Sequence, residues 1–202
     1  MVDYNELLEK ANEVYKNCVT DAEKRRLESI FPELKVVLSE SKIDENYKNQ
    51  YVDLGLPSGT LWAKCNVGAE NPWEYGNHCR FEKAYYMENV PSSINFQELI
   101  NNCVFVRGKM HDVKGLYIIG KNKNSIFLPA AGQIYKDKFD NKITHGRYWS
   151  SSEYSGNMGE FNRDCYINGG GYYFYFNFSH TLKEIAVGDY FVKFSIRLIK
   201  KQ

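Results

Sequence analysis

The chain of 202 residues is 43% hydrophobic and 25% charged, a balance typical of a folded protein that excludes a disordered chain. Its formal net charge of +1 excludes the strong basic field that attracts nucleic acid. Aromatic residues make up 15%, with 16 Tyr and 12 Phe, and the excess of tyrosine mildly favours a binding protein, because Tyr joins a large contact area to a polar tip.

Residues 1–38 are predicted to be helical. Their apolar positions recur with helical spacing, at Tyr4, Leu7, Ala11 and Val14. Residues 20–23 match a capping box that begins a second short helix, which ends before Pro32. We interpret the segment either as an oligomerisation or docking element that uses these four apolar residues, or as a helical hairpin packed on its own domain. Residues 39–50 are polar, lack periodicity and are predicted to be a linker.

Residues 51–202 are predicted to form the main domain, which begins with a β-hairpin. Residues 51–56 and 61–63 are typical of strands, and Pro and Gly in residues 57–60 favour a turn between them. The hairpin places two short strands side by side at the start of the domain.

Three further elements are predicted along the main domain. Residues 92–103 form a helix capped by Ser92 or Ser93, with an apolar side at Ile94, Phe96, Leu99, Ile100 and Cys103. Residues 115–120 and 125–129 form a second hairpin. Residues 190–199 alternate in character, which indicates a last strand with one buried face.

The stretch 146–178 joins a Tyr148-Trp149-Ser150-Ser151-Ser152 motif, a polar run and a dense aromatic strand. Side chains alternate across a strand, so Phe174, Phe176 and Phe178 are predicted to face inward, while Tyr173 and Tyr175 face outward. Trp149 is assigned to the core, because buried aromatic residues on an inward face are the common case.

The sequence offers no catalytic or metal-binding pattern. The five cysteines lack CxxC spacing, and their odd number does not permit a complete disulfide framework within one chain. The four histidines lack HxH and HExxH spacing. We therefore expect no catalytic residue, no metal and no cofactor.

Four ordered motifs resemble the Fibrobacter-type major paralogous domain. They are VDLGLPSGTLWAKCNVGAENPWEYG at residues 52–76, VPSSINFQELINNC at 90–103, NSIFLPAAG at 124–132 and YWSSS at 148–152. The resemblance implies a C-type-lectin-like fold over residues 51–202: an α+β domain of short antiparallel strands with one or two helices, preceded here by the N-terminal helical segment. Residues 77–81 and 194–199 depart from the family's usual pattern.

The resemblance also implies where a ligand would bind. In the related retroelement variable proteins, ligand-facing residues cluster around and after the Trp-Ser-Ser motif. The corresponding residues here are Glu153, Tyr154, Asn157, Arg163, Asp164, Tyr166, Asn168, Tyr173 and Tyr175. The Glu-Pro-Asn and Trp-Asn-Asp tripeptides of calcium-dependent lectins are absent, so no calcium dependence is expected. The clustered cysteine pair of the formylglycine-generating relatives is absent too, so an enzyme is the last alternative.

Residues 23–34 (EKRRLESIFPEL) resemble a segment of gut Bacteroides phage proteins. The expectation is therefore a non-enzymatic virion protein, a fibre or a capsid or tail appendage, made in the host cytoplasm because Met1 leads into no signal peptide. It would bind a host-surface glycan or protein, dock onto other virion proteins through its N-terminal helices and form a homo-oligomer, with a trimer favoured, without nucleic acid or membrane insertion. A decoration or assembly protein and a bacterial surface adhesin are the alternatives.

Overall fold

The computed structural model describes residues 50–140, 144–157, 168–179 and 183–201. The predicted N-terminal helices, with Tyr4, Leu7, Ala11 and Val14, and nearly all of the predicted linker lie outside the described residues. No described helix has the length and apolar character needed to cross a bilayer.

The described residues form mainly antiparallel β-structure with two short helices, which confirms the α+β prediction at that level. The helices are α1 (Phe81–Tyr86) and α2 (Ser93–Asn102). The strands are β1 (Tyr51–Asp53), β2 (Leu61–Asn66), β3 (Val104–Met110), β4 (Val113–Ile119), β5 (Ser125–Pro129), β6 (Gln133–Tyr135), β7 (Lys138–Asp140), β8 (His145–Asn157), β9 (Asn168–Asn177), β10 (Glu184–Gly188) and β11 (Arg197–Lys200).

These strands form four small sheets with the orders β1-β2-β11, β10-β9-β8, β3-β4-β5 and β6-β7. Both predicted hairpins are confirmed, as β1 pairs with β2 and β4 with β5. The first turn closes with a hydrogen bond from the Gly59 N–H to the Leu56 carbonyl, at a φ of 69° that glycine adopts without strain. Strand β3 pairs with the other side of β4 and was not predicted.

Helix α2 is confirmed together with its cap. The Ser92 hydroxyl accepts from the Asn95 N–H, and the Asn95 side chain accepts from the Ser92 N–H, which satisfies two backbone donors at the helix start. Phe96 and Leu99 are fully buried. Ile94 is 77% exposed, so its prediction as part of the apolar side is wrong, because a residue two positions before Phe96 lies on the opposite face of the helix.

The β8–β9–β10 sheet is covered on both faces. Tyr148 lies opposite Phe174, and both belong to the principal core, with Phe96, Phe105 and Phe176. The neighbouring pair, Trp149 and Tyr173, points to the other face and packs in a second cluster that includes Phe81 and Phe194. The inward placement of Phe174, Phe176 and Phe178 and the core assignment of Trp149 are confirmed.

The predicted last strand is only partly confirmed. Strand β11 is limited to Arg197–Lys200, and the preceding residues make isolated bridges to other parts of the chain. Ser195 and Arg197 are both 0% exposed, like their neighbours on the other side of the chain, so the expected single buried face is wrong. The reason is that this segment runs between layers, with Phe194 bonded to Cys79 and the Ser195 carbonyl bonded to the Trp149 N–H.

The different burial of two residues on α2 predicts different costs of truncation. Phe96→Ala removes a ring that stacks on Phe174 at 5.2 Å, and we expect it to lower the free energy of unfolding by about 3–5 kcal/mol. Ile94→Ala, the matched control on the same helix, should change it by no more than about 0.5 kcal/mol. Urea unfolding of both variants measures the difference, and equal losses would contradict the described packing of α2.

Candidate functional site

The strand pair β8–β9 sets the position of Glu153. Glu153 lies opposite Gly171, and Trp149 lies opposite Tyr173, with a register shift in between. Because opposed residues share a face, and residues two apart on β9 also do, Glu153 lies on the same face as Trp149. A side chain at Gly171 would collide with the ring of Phe81, so the missing side chain lets α1 lie directly on this face.

Tyr190 contacts Glu153, and Phe81 connects Tyr190 to Tyr85 and, through it, to Tyr86; we call Tyr85, Tyr86 and Tyr190 the tyrosine cluster. The Tyr190 hydroxyl donates to Oε1 of Glu153 at 3.0 Å. The ring of Phe81 lies between the tyrosines, with its centroid 5.8 Å from that of Tyr190 and 5.9 Å from that of Tyr85. The rings of Tyr85 and Tyr86 are 5.0 Å apart and perpendicular, at 89°.

The tyrosine cluster has exposed rings that lie over buried residues. Tyr85 and Tyr86 are 46% and 77% exposed, and Glu153 is exposed as well. Beneath them, Phe81 packs against Trp149 at 5.4 Å, and the indole N–H of Trp149 donates to the Cys79 carbonyl at 2.8 Å. The ring of Tyr85 therefore packs on buried, hydrogen-bonded structure, and Tyr86 packs edge-on against Tyr85.

The environment of Tyr190 favours the protonated form of its hydroxyl even more than in an ordinary tyrosine. Partial burial raises the pKa of Tyr190, and the hydrogen bond to Glu153 and the negative charge of that residue raise it further. The phenol therefore acts as a donor to the carboxylate and leaves the second carboxylate oxygen for a ligand.

Among the predicted ligand residues that the structure describes, Glu153 is the one that contacts the tyrosine cluster, through Tyr190. Tyr173 is half-buried, with its ring 5.9 Å from Trp149 and 4.6 Å from Phe194. Tyr175 lies further along β9, half-buried, with its ring stacked 5.7 Å from His145. The two tyrosines do share the face opposite Phe174, but that face is covered rather than open.

The remaining predicted residues are spread out or not described. Tyr154 packs edge-on to Tyr172 at 5.7 Å and is half-buried. Asn157 and Asn168 pair across the ends of β8 and β9. Arg163, Asp164 and Tyr166 lie outside the described residues.

The sequence reasoning missed Tyr85, Tyr86 and Tyr190. A signal was available in FEKAYY of α1, because two adjacent tyrosines on a six-residue helix cannot both lie on its buried side. Phe81 and Ala84 are the buried residues of α1, and both tyrosines are exposed.

The described residues offer little for metal or thiol chemistry. They contain no group of three or more His, Cys, Asp or Glu side chains that could hold a metal ion. Cys65, Cys79 and Cys103 are free thiols, and burial raises the pKa of Cys79 to about 11 and that of Cys103 to about 12. A cleft of about 210 Å³ contains Cys65, whose pKa is also raised by burial.

No known protein family, curated protein or solved structure matches this chain. The geometry of the tyrosine cluster and Glu153 therefore carries the functional argument.

The packing of Tyr173 predicts a structural cost for its removal. Tyr173→Ala deletes a ring that packs against Trp149 and Phe194 and should lower the free energy of unfolding by about 2–3 kcal/mol. Tyr86→Ala, at an exposed position, should change it by about 0.5 kcal/mol or less. Chemical unfolding tests both variants, and a Tyr173→Ala protein of unchanged stability would return Tyr173 to the candidate ligand surface.

The raised thiol pKa values predict slow alkylation. At pH 8 the Cys79 thiolate should be about a hundredfold scarcer than that of an ordinary cysteine, because its folded pKa is about 11. In a Cys18→Ser, Cys165→Ser protein, iodoacetamide should modify Cys79 and Cys103 slowly when folded and rapidly in urea. Peptide mass spectrometry follows each site, and equally rapid modification in both states would show that the fold neither buries these thiols nor raises their pKa.

Proposed function

We propose that this chain is a non-enzymatic structural protein of a phage virion, a fibre or a capsid or tail appendage, and that it binds a host-surface glycan. The observation that carries the proposal is the tyrosine cluster, in which Tyr85 and Tyr86 are exposed and Tyr190 donates to the Glu153 carboxylate. Aromatic rings cover the apolar C–H faces of a sugar, and a carboxylate accepts hydrogen bonds from its hydroxyl groups. A ring that already packs against a buried residue, as Tyr85 does against Phe81, loses little conformational freedom when it binds.

The domain in this proposal is C-type-lectin-like. Support comes from the way the four motifs of the resemblance meet. The Tyr148 hydroxyl of YWSSS donates to the Pro129 carbonyl of NSIFLPAAG at 2.6 Å and lies 3.4 Å from the Asn66 side-chain nitrogen in the first motif. Ser152 accepts from the Ser93 N–H of the second motif at 2.9 Å. Motifs far apart in sequence thus surround one strand, as expected when they define one fold.

The N-terminal segment completes the proposal. In this arrangement residues 1–38 dock onto other virion proteins and hold the chain in a homo-oligomer, with a trimer favoured. The described domain then presents the tyrosine cluster on several copies at once, which raises the strength of attachment beyond that of a single weak site.

Saccharide-array binding of the full chain tests the glycan proposal. A Tyr85→Ala, Tyr86→Ala variant should bind at least tenfold more weakly, since it removes both exposed rings, a loss of about 1.4 kcal/mol or more. Tyr135→Ala, Phe139→Ala is the matched control, because these rings are 42% and 56% exposed but belong to the β6–β7 hairpin.

The control variant should bind as the unmodified chain does, and circular dichroism should show that both variants are folded. Unchanged binding by the Tyr85→Ala, Tyr86→Ala variant would remove the tyrosine cluster from the proposal. If the array shows no binding but host cells treated with periodate still adsorb the chain and protease-treated cells do not, the ligand is a surface protein.

A further inference from the structure

We propose that the glycan recognised by the tyrosine cluster carries a free, positively charged amino group. This inference deepens the proposed function and rests on it. It places the ammonium group of an amino sugar against the rings of Tyr85 and Tyr86, within reach of the Glu153 carboxylate.

The charge around the tyrosine cluster is the first argument. Glu82 precedes Tyr85 and Tyr86 by three and four residues on α1, so its side chain lies on the same side of the helix as theirs. Glu88 follows the helix, and both glutamates are exposed, as is Glu153. Within the described parts of the chain, none of these three carboxylates forms an ion pair.

Two basic side chains on or beside α1 lie near groups outside the tyrosine cluster. Lys83 lies near the thiol of Cys79, whose pKa is raised by burial and lowered by the lysine charge. Arg80 lies near Asp137 of the β6–β7 turn, a carboxylate that already forms an ion pair with Lys193 at 2.8 Å. Three exposed carboxylates therefore lie on and beside the tyrosine cluster, while Lys83 and Arg80 also interact with other groups.

The chemistry of the rings is the second argument. The face of a tyrosine ring attracts a cation, and this attraction is strongest where water is partly excluded. Tyr85 and Tyr86 present two perpendicular rings to solvent. An ammonium group at this corner also has three N–H donors for the Glu153 carboxylate, whose Oε1 already accepts from Tyr190. A neutral acetamido group would lose both the attraction to the rings and the charged hydrogen bond.

Two saccharides with the same backbone test the inference. Oligomers of glucosamine carry free amino groups, and oligomers of N-acetylglucosamine do not. Titration calorimetry of the full chain should give at least tenfold tighter binding of the glucosamine oligomer at low ionic strength. The preference should shrink as salt is added, because the attraction between exposed charges is screened. The net charge of +1 for the whole chain leaves no general attraction for cations.

Two isosteric substitutions assign the preference to this surface. Glu82→Gln, Glu153→Gln should abolish most of the preference for the glucosamine oligomer, while the amide oxygen that replaces the Glu153 carboxylate can still accept from Tyr190. Asp112→Asn is the matched control, since Asp112 is an exposed carboxylate in the β3–β4 turn, and asparagine also tolerates its φ of 63°. The control should keep the full preference.

The outcomes separate this inference from the proposed function. Equal affinity for the two oligomers overturns the amino-group inference and leaves glycan binding standing. A preference that survives in the Glu82→Gln, Glu153→Gln variant overturns the placement of the amine at the tyrosine cluster. If neither oligomer binds and the saccharide array is also blank, the proposed function itself fails.

Discussion

The structure depends on the hydrogen bonds of one short strand segment, residues 148–152. Each of its side chains reaches a different part of the chain. Tyr148 donates to Pro129, Trp149 to Cys79, Ser150 to Tyr172 and Ser151 to Val90, while Ser152 is bonded to Ser93. Four of these five contacts are to backbone carbonyls, groups that would be costly to bury without a donor. The segment therefore fixes β5, β9, the start of α2 and the loop before α1 relative to one another.

The buried side chain of Arg197 also links separate strands, and it does so through hydrogen bonds to backbone carbonyls rather than to a carboxylate. Arg197 is 0% exposed and donates to the carbonyls of Ala63, Lys64 and Phe127, so it joins β2 to β5. Burial lowers the pKa of Arg197, because the interior disfavours its charge, but several carbonyl dipoles around one guanidinium offset that cost. Hydrogen bonds from buried side chains to backbone carbonyls thus help to hold the short strands of this domain in place.

Local patterns in the sequence predicted the elements whose partners are close by. The two hairpins and the cap of α2 depend on turn residues and on a serine and asparagine three positions apart. Alternation in β9 also predicted correctly that Phe174 and Phe176 face the principal core. Alternation could not show that the opposite face of β9 is also covered. Tyr173 on that face packs against Phe194, which belongs to a later segment of the chain.

The candidate site was missed for a related reason. The sequence directed attention to the aromatic strand, yet that strand is mostly scaffold, and the exposed rings beside it come from α1 and from Tyr190. Glu153 lies on the face against which α1 packs because it is four residues after Trp149 on β8, and Gly171 opposite it leaves room for the ring of Phe81. The candidate surface is thus assembled from three separate pieces of chain. Only their packing on Trp149 brings tyrosine rings and a carboxylate together, so residue type and sequence spacing alone could not predict it.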